Sequence, residues 1–398
     1  MNSWKYCSGL AIIFFSFCAA STYAYGQLYS DSIPAVKERD FLIYYDTNFY
    51  SCFPSVIKKN DGEIIVAFRR APERKNFGER RSNHVDPNSY LVLVKSGDNG
   101  ISWSKNPELI FAHPLGGSQD PCLLQLADGN LLCMSYLWAF LRDEGLENLK
   151  KPYSENIYGT VFMGGYYLRS IDGGDHWQGP FYPPSIPPEV KYNALGKPLS
   201  AYNRGALCEG KDGRIFWVVA ASTDSADLKR TSNHLLISDD KGLTWSYSCP
   251  VASDADAAFN EASIYETPEG DLLAFLRTAG MDDQACIARS IDGGRSFLPW
   301  EKMGFRGHPL QALRLADNRI FLVYGYRHKP YGIRARILNP EGTDYATAPE
   351  IIIRKDGGGT DIGYPWAVLL DDKHVLVTYY FNKDDGIRHI AGSVLKLL

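Results

Sequence analysis

Past its first 26 residues the chain has no long hydrophobic run. A membrane-crossing helix needs roughly 20 consecutive apolar residues, so no transmembrane segment is expected. Neither sign of charge is in marked excess: 42 Lys and Arg stand against 46 Asp and Glu, a net charge of −4. Proteins that hold nucleic acid carry a basic face, so nucleic acid is not the expected partner. Cysteine is sparse. Of the eight, Cys7 and Cys18 fall in the first 26 residues; Cys52, Cys122, Cys133, Cys208, Cys249 and Cys286 remain and form no Cys-x-x-Cys pair. That spacing argues against a zinc site, and no metal or cofactor is expected.

Residues 1–26 read as a secretory signal peptide. Lys5 supplies a weak positive end, and Leu10 to Phe17 an apolar segment too short to span a bilayer. Thr22 and Ala24 are the small residues that a signal peptidase requires, with a second option after Gly26. Cys18 raises lipid anchoring, but Phe17 before it is too bulky for a good acylation signal. The expectation is a secreted or periplasmic protein. Export permits disulfides: Cys122 and Cys133 fall on the two arms of one predicted hairpin, to be either a pair or two buried thiols.

What is present is a repeat. Phe259 to Thr278 alternates, turns at Pro268-Glu269-Gly270, and returns through an apolar run to Arg277; this is a β-hairpin signature. Five more segments share it, from Ser51, Ser118, Asn203, Gly307 and Gly363. Their turn acids align as Asp61, Asp128, Asp212, Glu269, Asp317 and Asp372. Such repetition means copies of one supersecondary unit. A second repeat, Ser-x-Asp-x-Gly-x-x-aromatic, follows four hairpins: Ser96–Trp103, Ser170–Trp177, Ser238–Trp245 and Ser290–Phe297, with a worn copy at Leu338–Tyr345. The Asp accepts backbone N–H bonds within a turn, Gly supplies a positive φ, and the aromatic ring folds back. These Asp residues are expected to be structural.

Repeated Asp-box (BNR) turns between four-stranded units resemble the sialidase, or neuraminidase, superfamily. The resemblance covers residues 41–398. It implies an all-β fold: a six-bladed β-propeller of four-stranded antiparallel blades, occupying residues 27–398 as one domain. The last hairpin region has three strands of its own, so Asp40–Tyr45 is expected to supply the fourth and close the ring. Two insertions, Ala139–Tyr158 and Pro183–Tyr202, fall on one face, either walling a cleft there or forming plain surface loops.

In such a blade the turn acid and the Asp-box lie on one face, so the opposite strand ends meet on the other. Eight residues before the turn acids stand Phe53, Asp120, Arg204, Glu261, Pro309 and Tyr364; eight after stand Arg69, Tyr136, Ala220, Arg277, Gly325 and Tyr380. Arg, Asp, Glu and Tyr are too polar for a β-core without a purpose, and the cluster marks a candidate active site.

The resemblance gives roles. Sialidases use a Tyr nucleophile assisted by Glu, an Arg trio for the sugar carboxylate, and an Asp acid. Asn260-Glu261 followed by Arg277 resembles the family's Asn-Glu…Arg pattern, and Gly363-Tyr364 resembles the nucleophile's setting. A neutral phenol avoids the repulsion that a carboxylate nucleophile would meet at a carbon bearing a carboxylate, and Arg suits that group through two parallel hydrogen bonds. Two positions depart. Where the family has Phe-Arg-Ile-Pro this chain has Ser51-Cys52-Phe53-Pro54, and Tyr90 stands where the acid Asp is expected. Arg69 and Arg204 are candidates for the missing Arg, Arg327 and Arg334 for the third, and His84 and Asp86 for the acid; Asp120 is a further catalytic candidate in the same cluster. The expected partner is a glycan, and the reading is a glycoside hydrolase of sialidase-like type acting on a terminal, acidic sugar. A polysaccharide lyase acting on uronates and a non-catalytic glycan-binding propeller stay open as alternatives.

Overall fold

A computed structural model describes residues 34–79, 84–155, 159–384 and 386–398. The expected signal segment lies outside these residues. The hairpins form as read, each becoming the two inner strands of a small antiparallel sheet, and the sheets number six. Blade 1 runs over 49–111, blade 2 over 117–181, blade 3 over 208–252, blade 4 over 258–306 and blade 5 over 310–354. Blade 6 takes Gly363–Asp371, His374–Phe381 and His389–Leu397, and its outer strand is Ala35–Tyr44, antiparallel to His389–Leu397. The closing strand is thus the N-terminal one, starting five residues before Asp40. Pairing Ala35–Tyr44 with His389–Leu397 in one sheet closes the ring of described blades.

Second strands of the blades read as unbroken apolar runs because both of their faces are buried. Side chains alternate along a strand: Ile64, Val66 and Phe68 pack in one cluster with Leu376 and Tyr380 of blade 6, whereas Ile65 and Ala67 pack with Leu123 and Leu131 of blade 2. The same alternation separates the two cysteines. Leu123 stands opposite Cys133, and Cys122 opposite Met134, so Cys122 and Cys133 point to opposite faces. All six cysteines among the described residues are free thiols.

The Asp-box aspartates are engaged in their turns. Ser96 Oγ donates to Asp98 Oδ1 at 2.8 Å and accepts from Gly100 N–H at 2.9 Å, while Asp98 Oδ1 accepts the N–H groups of Ile101 and Ser102. Ser170–Asp172, Ser238–Asp240 and Ser290–Asp292 repeat the arrangement. In the last hairpin Asp371, not Asp372, accepts the turn N–H. Among the described residues no helix is long and apolar enough to cross a membrane.

Candidate active site

The residues that converge do so through bulges. The first strands of blades 1, 4 and 6 lose register between Cys52 and Ser55, Phe259 and Ala262, and Gly363 and Trp366. Inside these slips sit Phe53-Pro54, Asn260-Glu261 and Tyr364-Pro365. A bulge twists its strand and re-aims side chains, and the two prolines sit where no ladder N–H is required. Phe53 and Tyr364 adopt φ of +56° and +51°, left-handed values that cost bulky residues about 1–3 kcal/mol and persist where the surroundings hold them. Gly363, at φ +116°, admits the turn into Tyr364.

At the centre the Tyr364 hydroxyl donates to Glu261 Oε1. Arg277 Nη1 donates to Glu261 Oε2 at 2.6 Å and to the Tyr364 oxygen at 2.9 Å. Burial works to raise the Glu261 carboxyl, but Arg277, the Tyr364 hydroxyl and Arg204 outweigh it and hold the group below the ordinary range. Burial and the Glu261 charge push the Tyr364 phenol far up. The resting pair is therefore a phenol beside a carboxylate. Two guanidiniums flank the Tyr364 ring, Arg204 at 4.8 Å and Arg327 at 5.3 Å from its centroid.

Of the two candidates for the third Arg, Arg327 joins the site. It donates to Ile362 O and to the Tyr380 hydroxyl, both at 3.0 Å. Arg334 does not join it: its guanidinium donates to the Ile333, Pro330 and Arg354 carbonyls and lies 3.6 Å from Glu350. Arg69 is 0% exposed and lies beneath the site. It faces Cys52 across the ladder and donates to its sulfur at 3.4 Å. Arg204, also buried, donates to Pro54 O at 2.9 Å and stands 4.0 Å from Asp120. Burial, helped by the Glu261 charge, raises the Asp120 carboxyl to about 7, against Arg204 and Arg69.

The acids sought in the loop before blade 1's third strand fare differently. Asp86 is buried and engaged: Arg74 donates to both of its oxygens, at 2.6 and 2.9 Å, and Asn88 N–H to one at 2.8 Å. These bonds tie it into the shape of its own loop. His84 stacks edge-on against Phe53 at 5.0 Å, 3.9 Å from Asp361. Desolvation on that side, with the charges of Arg327 and Arg69, lowers its pKa to about 4 despite Asp361. It is neutral at pH 7 and cannot serve as an imidazolium acid.

Asp361 went unnoticed in the sequence. It accepts from the Tyr50 and Tyr380 hydroxyls at 2.7 and 2.9 Å and from Arg388 at 2.8 Å, thereby fixing the Tyr380 that holds Arg327. Its one signal was an acid just before Gly363-Tyr364. Asp283 was missed too; His308 and His328 bracket it at 3.1 and 3.0 Å. A cavity of about 410 Å³ opens from Glu261, Arg204 and His84 toward blades 2 and 3. Both insertions wall it, through Ser154 and through Lys191 and Tyr202.

A family profile described as BNR repeat-like domain matches residues 151–375. No curated protein matches the chain. Among solved structures, a protein of unknown function from Dyadobacter fermentans DSM 18053 is 66% identical over 92% of this chain and 100% of its own, with a TM-score of 0.90. The Trypanosoma rangeli sialidase is 13% identical with a TM-score of 0.62, over 89% of this chain. This chain spans 59% of that enzyme's length. The NanB sialidase of Streptococcus pneumoniae is 15% identical with a TM-score of 0.58, over 92% of this chain and 71% of its own. At those identities the likeness to the two sialidases is one of fold. By profile, and in keeping with its ring of six blades, the chain belongs to the BNR repeat-like domain family.

Proposed function

We propose that this protein is an exported glycoside hydrolase that removes a terminal acidic sugar from glycans, with Tyr364 as nucleophile and Glu261 as its base. The observation that carries the reading is the contact of the Tyr364 hydroxyl with Glu261 while Arg277 donates to both. In the forward step the Tyr364 oxygen attacks the anomeric carbon, its proton passes to Glu261, and the bond to the leaving oxygen breaks. That oxygen takes a proton from Asp120, whose carboxyl keeps one up to about pH 7. Water then attacks the glycosyl-tyrosine, giving its proton to the ionised Asp120, and Tyr364 recovers its own from Glu261. Arg277 and Arg327 grip the sugar carboxylate. With Cys52 where a sialidase has Arg, the grip relies on two guanidiniums, and sialic acid is one candidate among acidic sugars.

The deciding experiment is a screen of α-sialosides and uronic acid glycosides with mass-spectrometric detection of products, run on the wild type and Tyr364→Phe. Hydrolysis that Tyr364→Phe abolishes, together with a fluorinated glycoside trapped on Tyr364, supports the reading. An unsaturated sugar absorbing in the ultraviolet points to a lyase instead. Binding without turnover, unchanged in Tyr364→Phe, points to a glycan-binding propeller.

A further inference from the structure

The far wall of the cavity differs from its floor. Trp138, Phe162 and Tyr202 build it, with the Phe162 ring 4.9 Å from Trp138 and 4.5 Å from Tyr202 between centroids. Beside them lies Lys191, 3% exposed, on the connector between blades 2 and 3. Glu189 folds that connector: its Oε1 accepts Lys191 N–H at 2.9 Å and its Oε2 accepts Ser222 N–H at 3.3 Å. Both oxygens are thus occupied by backbone, and Lys191 Nζ stands 3.8 Å from Oε2, beyond a hydrogen bond. The ammonium donates to the Tyr202 hydroxyl at 3.0 Å.

An ammonium has three donors, and a buried charge with donors unused is costly to keep. The space in front of Lys191 is the cavity itself. Lys229 lines that cavity as well, and among the described lining residues the one acid is Glu261, already paired with Arg277. The space therefore favours an anion at its far wall, before Lys191, while Arg277 and Arg327 stand against Tyr364 at the reaction centre.

We propose that Lys191 is a second anion-binding point, so that the substrate carries two acidic groups, the second a carboxylate or sulfate ester held by the Lys191 ammonium between aromatic walls. The inference rests on the reading of this cavity as a sugar site. It narrows the substrate class to polyanionic glycans.

The test is titration calorimetry with digalacturonic acid, its singly esterified form and a monosulfated uronate disaccharide, on the wild type, Lys191→Met, Lys191→Arg and the double variant Glu189→Gln/Lys191→Met. The double variant removes both charges, so Glu189 is not left alone in the wall if the single variant folds poorly. The wild type should favour the two diacidic probes over the singly esterified one by roughly 10- to 100-fold, the worth of one charge-assisted hydrogen bond. Lys191→Met and the double variant should lose that preference and keep their affinity for the singly esterified probe, and Lys191→Arg should retain part of it. A stronger preference for the sulfated probe identifies sulfate as the group, and one for digalacturonate identifies carboxylate. A wild type without the preference, or a folded Lys191→Met that keeps it, overturns the proposal. Tyr364→Phe should show the full preference. A protein with that preference but no turnover refutes the hydrolase alone; turnover without the preference refutes only the second anion point.

Discussion

Replacing Asp120 by Asn removes a buried carboxyl without changing its shape. The side chain is 1% exposed, and its Oδ1 has no hydrogen-bond partner. Burial and the Glu261 charge hold the group at about 7 in the folded protein, against an ordinary 3.8. Because the folded value is the raised one, the stability Asp120 contributes is complete below pH 3.8, falls as pH rises toward about 7, and is gone above it. At about 1.4 kcal/mol per pH unit, the whole change is about 4 kcal/mol, of which about 3 kcal/mol falls between pH 5 and 8. Asn has no proton to lose. Relative to the wild type, Asp120→Asn should therefore gain about 3 kcal/mol of unfolding free energy from pH 5 to 8, whatever its constant offset. The assay is urea unfolding of both proteins at several pH values. His234 and His308, which burial pushes down to about 4, make stability rise with pH in the same window, but they are common to both proteins and cancel in the difference. A difference that stays flat with pH would refute the reasoning, since the carboxyl would then ionise normally and hold no proton to donate at neutrality. The same variant bears on catalysis. Turnover of glycosides with poor leaving groups should fall by about 10²–10⁴-fold, and that of activated aryl glycosides far less; wild-type turnover should decline above pH about 7.

His84→Ala should show no such selectivity between leaving groups, because the imidazole is already neutral; a selective loss in the same two-substrate comparison would restore it as the acid. Asp86→Asn should cost about 2–4 kcal/mol in chemical unfolding, since it leaves Arg74 without its two-oxygen partner. Asp240→Ala, which removes the acceptor for Thr244 N–H and Oγ1 in an Asp-box, should cost about 1–2 kcal/mol and leave turnover unchanged. Deleting residues 34–44 strips the outer strand from His389–Leu397 and opens the ring, so the product should aggregate or fail to show a cooperative thermal transition; a folded, active product would mean that the ring closes without that strand.

Much of this molecule was legible in one dimension. The hairpins are local: a Gly-containing turn between alternating and apolar arms needs no distant partner to be recognised. The Asp-boxes are local too, since every bond that engages Asp98 comes from within four residues of it. A ring of equal units then brings equal offsets together, so counting eight residues from each turn acid located Glu261, Arg277 and Tyr364 before any coordinates. What the count could not supply was the company each side chain keeps. Arg327 and Arg334 sit seven residues apart, on or just past neighbouring strands of blade 5, and only packing shows that one meets Tyr380 while the other meets the carbonyls beside Glu350. Asp86 looked free until Arg74 folded back on it, and Lys191 was one residue in a connector until Glu189 and Tyr202 fixed it in a wall. Proton affinities belong to the same class. Asp120 and Glu261 are both carboxyls beside Arg in the count, yet one rises to about 7 and the other is held down, because Glu261 has Arg277 at 2.6 Å and Asp120 has Arg204 only at 4.0 Å. Hairpins and turns are decided by residues a few positions apart, whereas desolvation and charge depend on which atoms from different blades share the same few ångströms, and that is settled only when the ring closes.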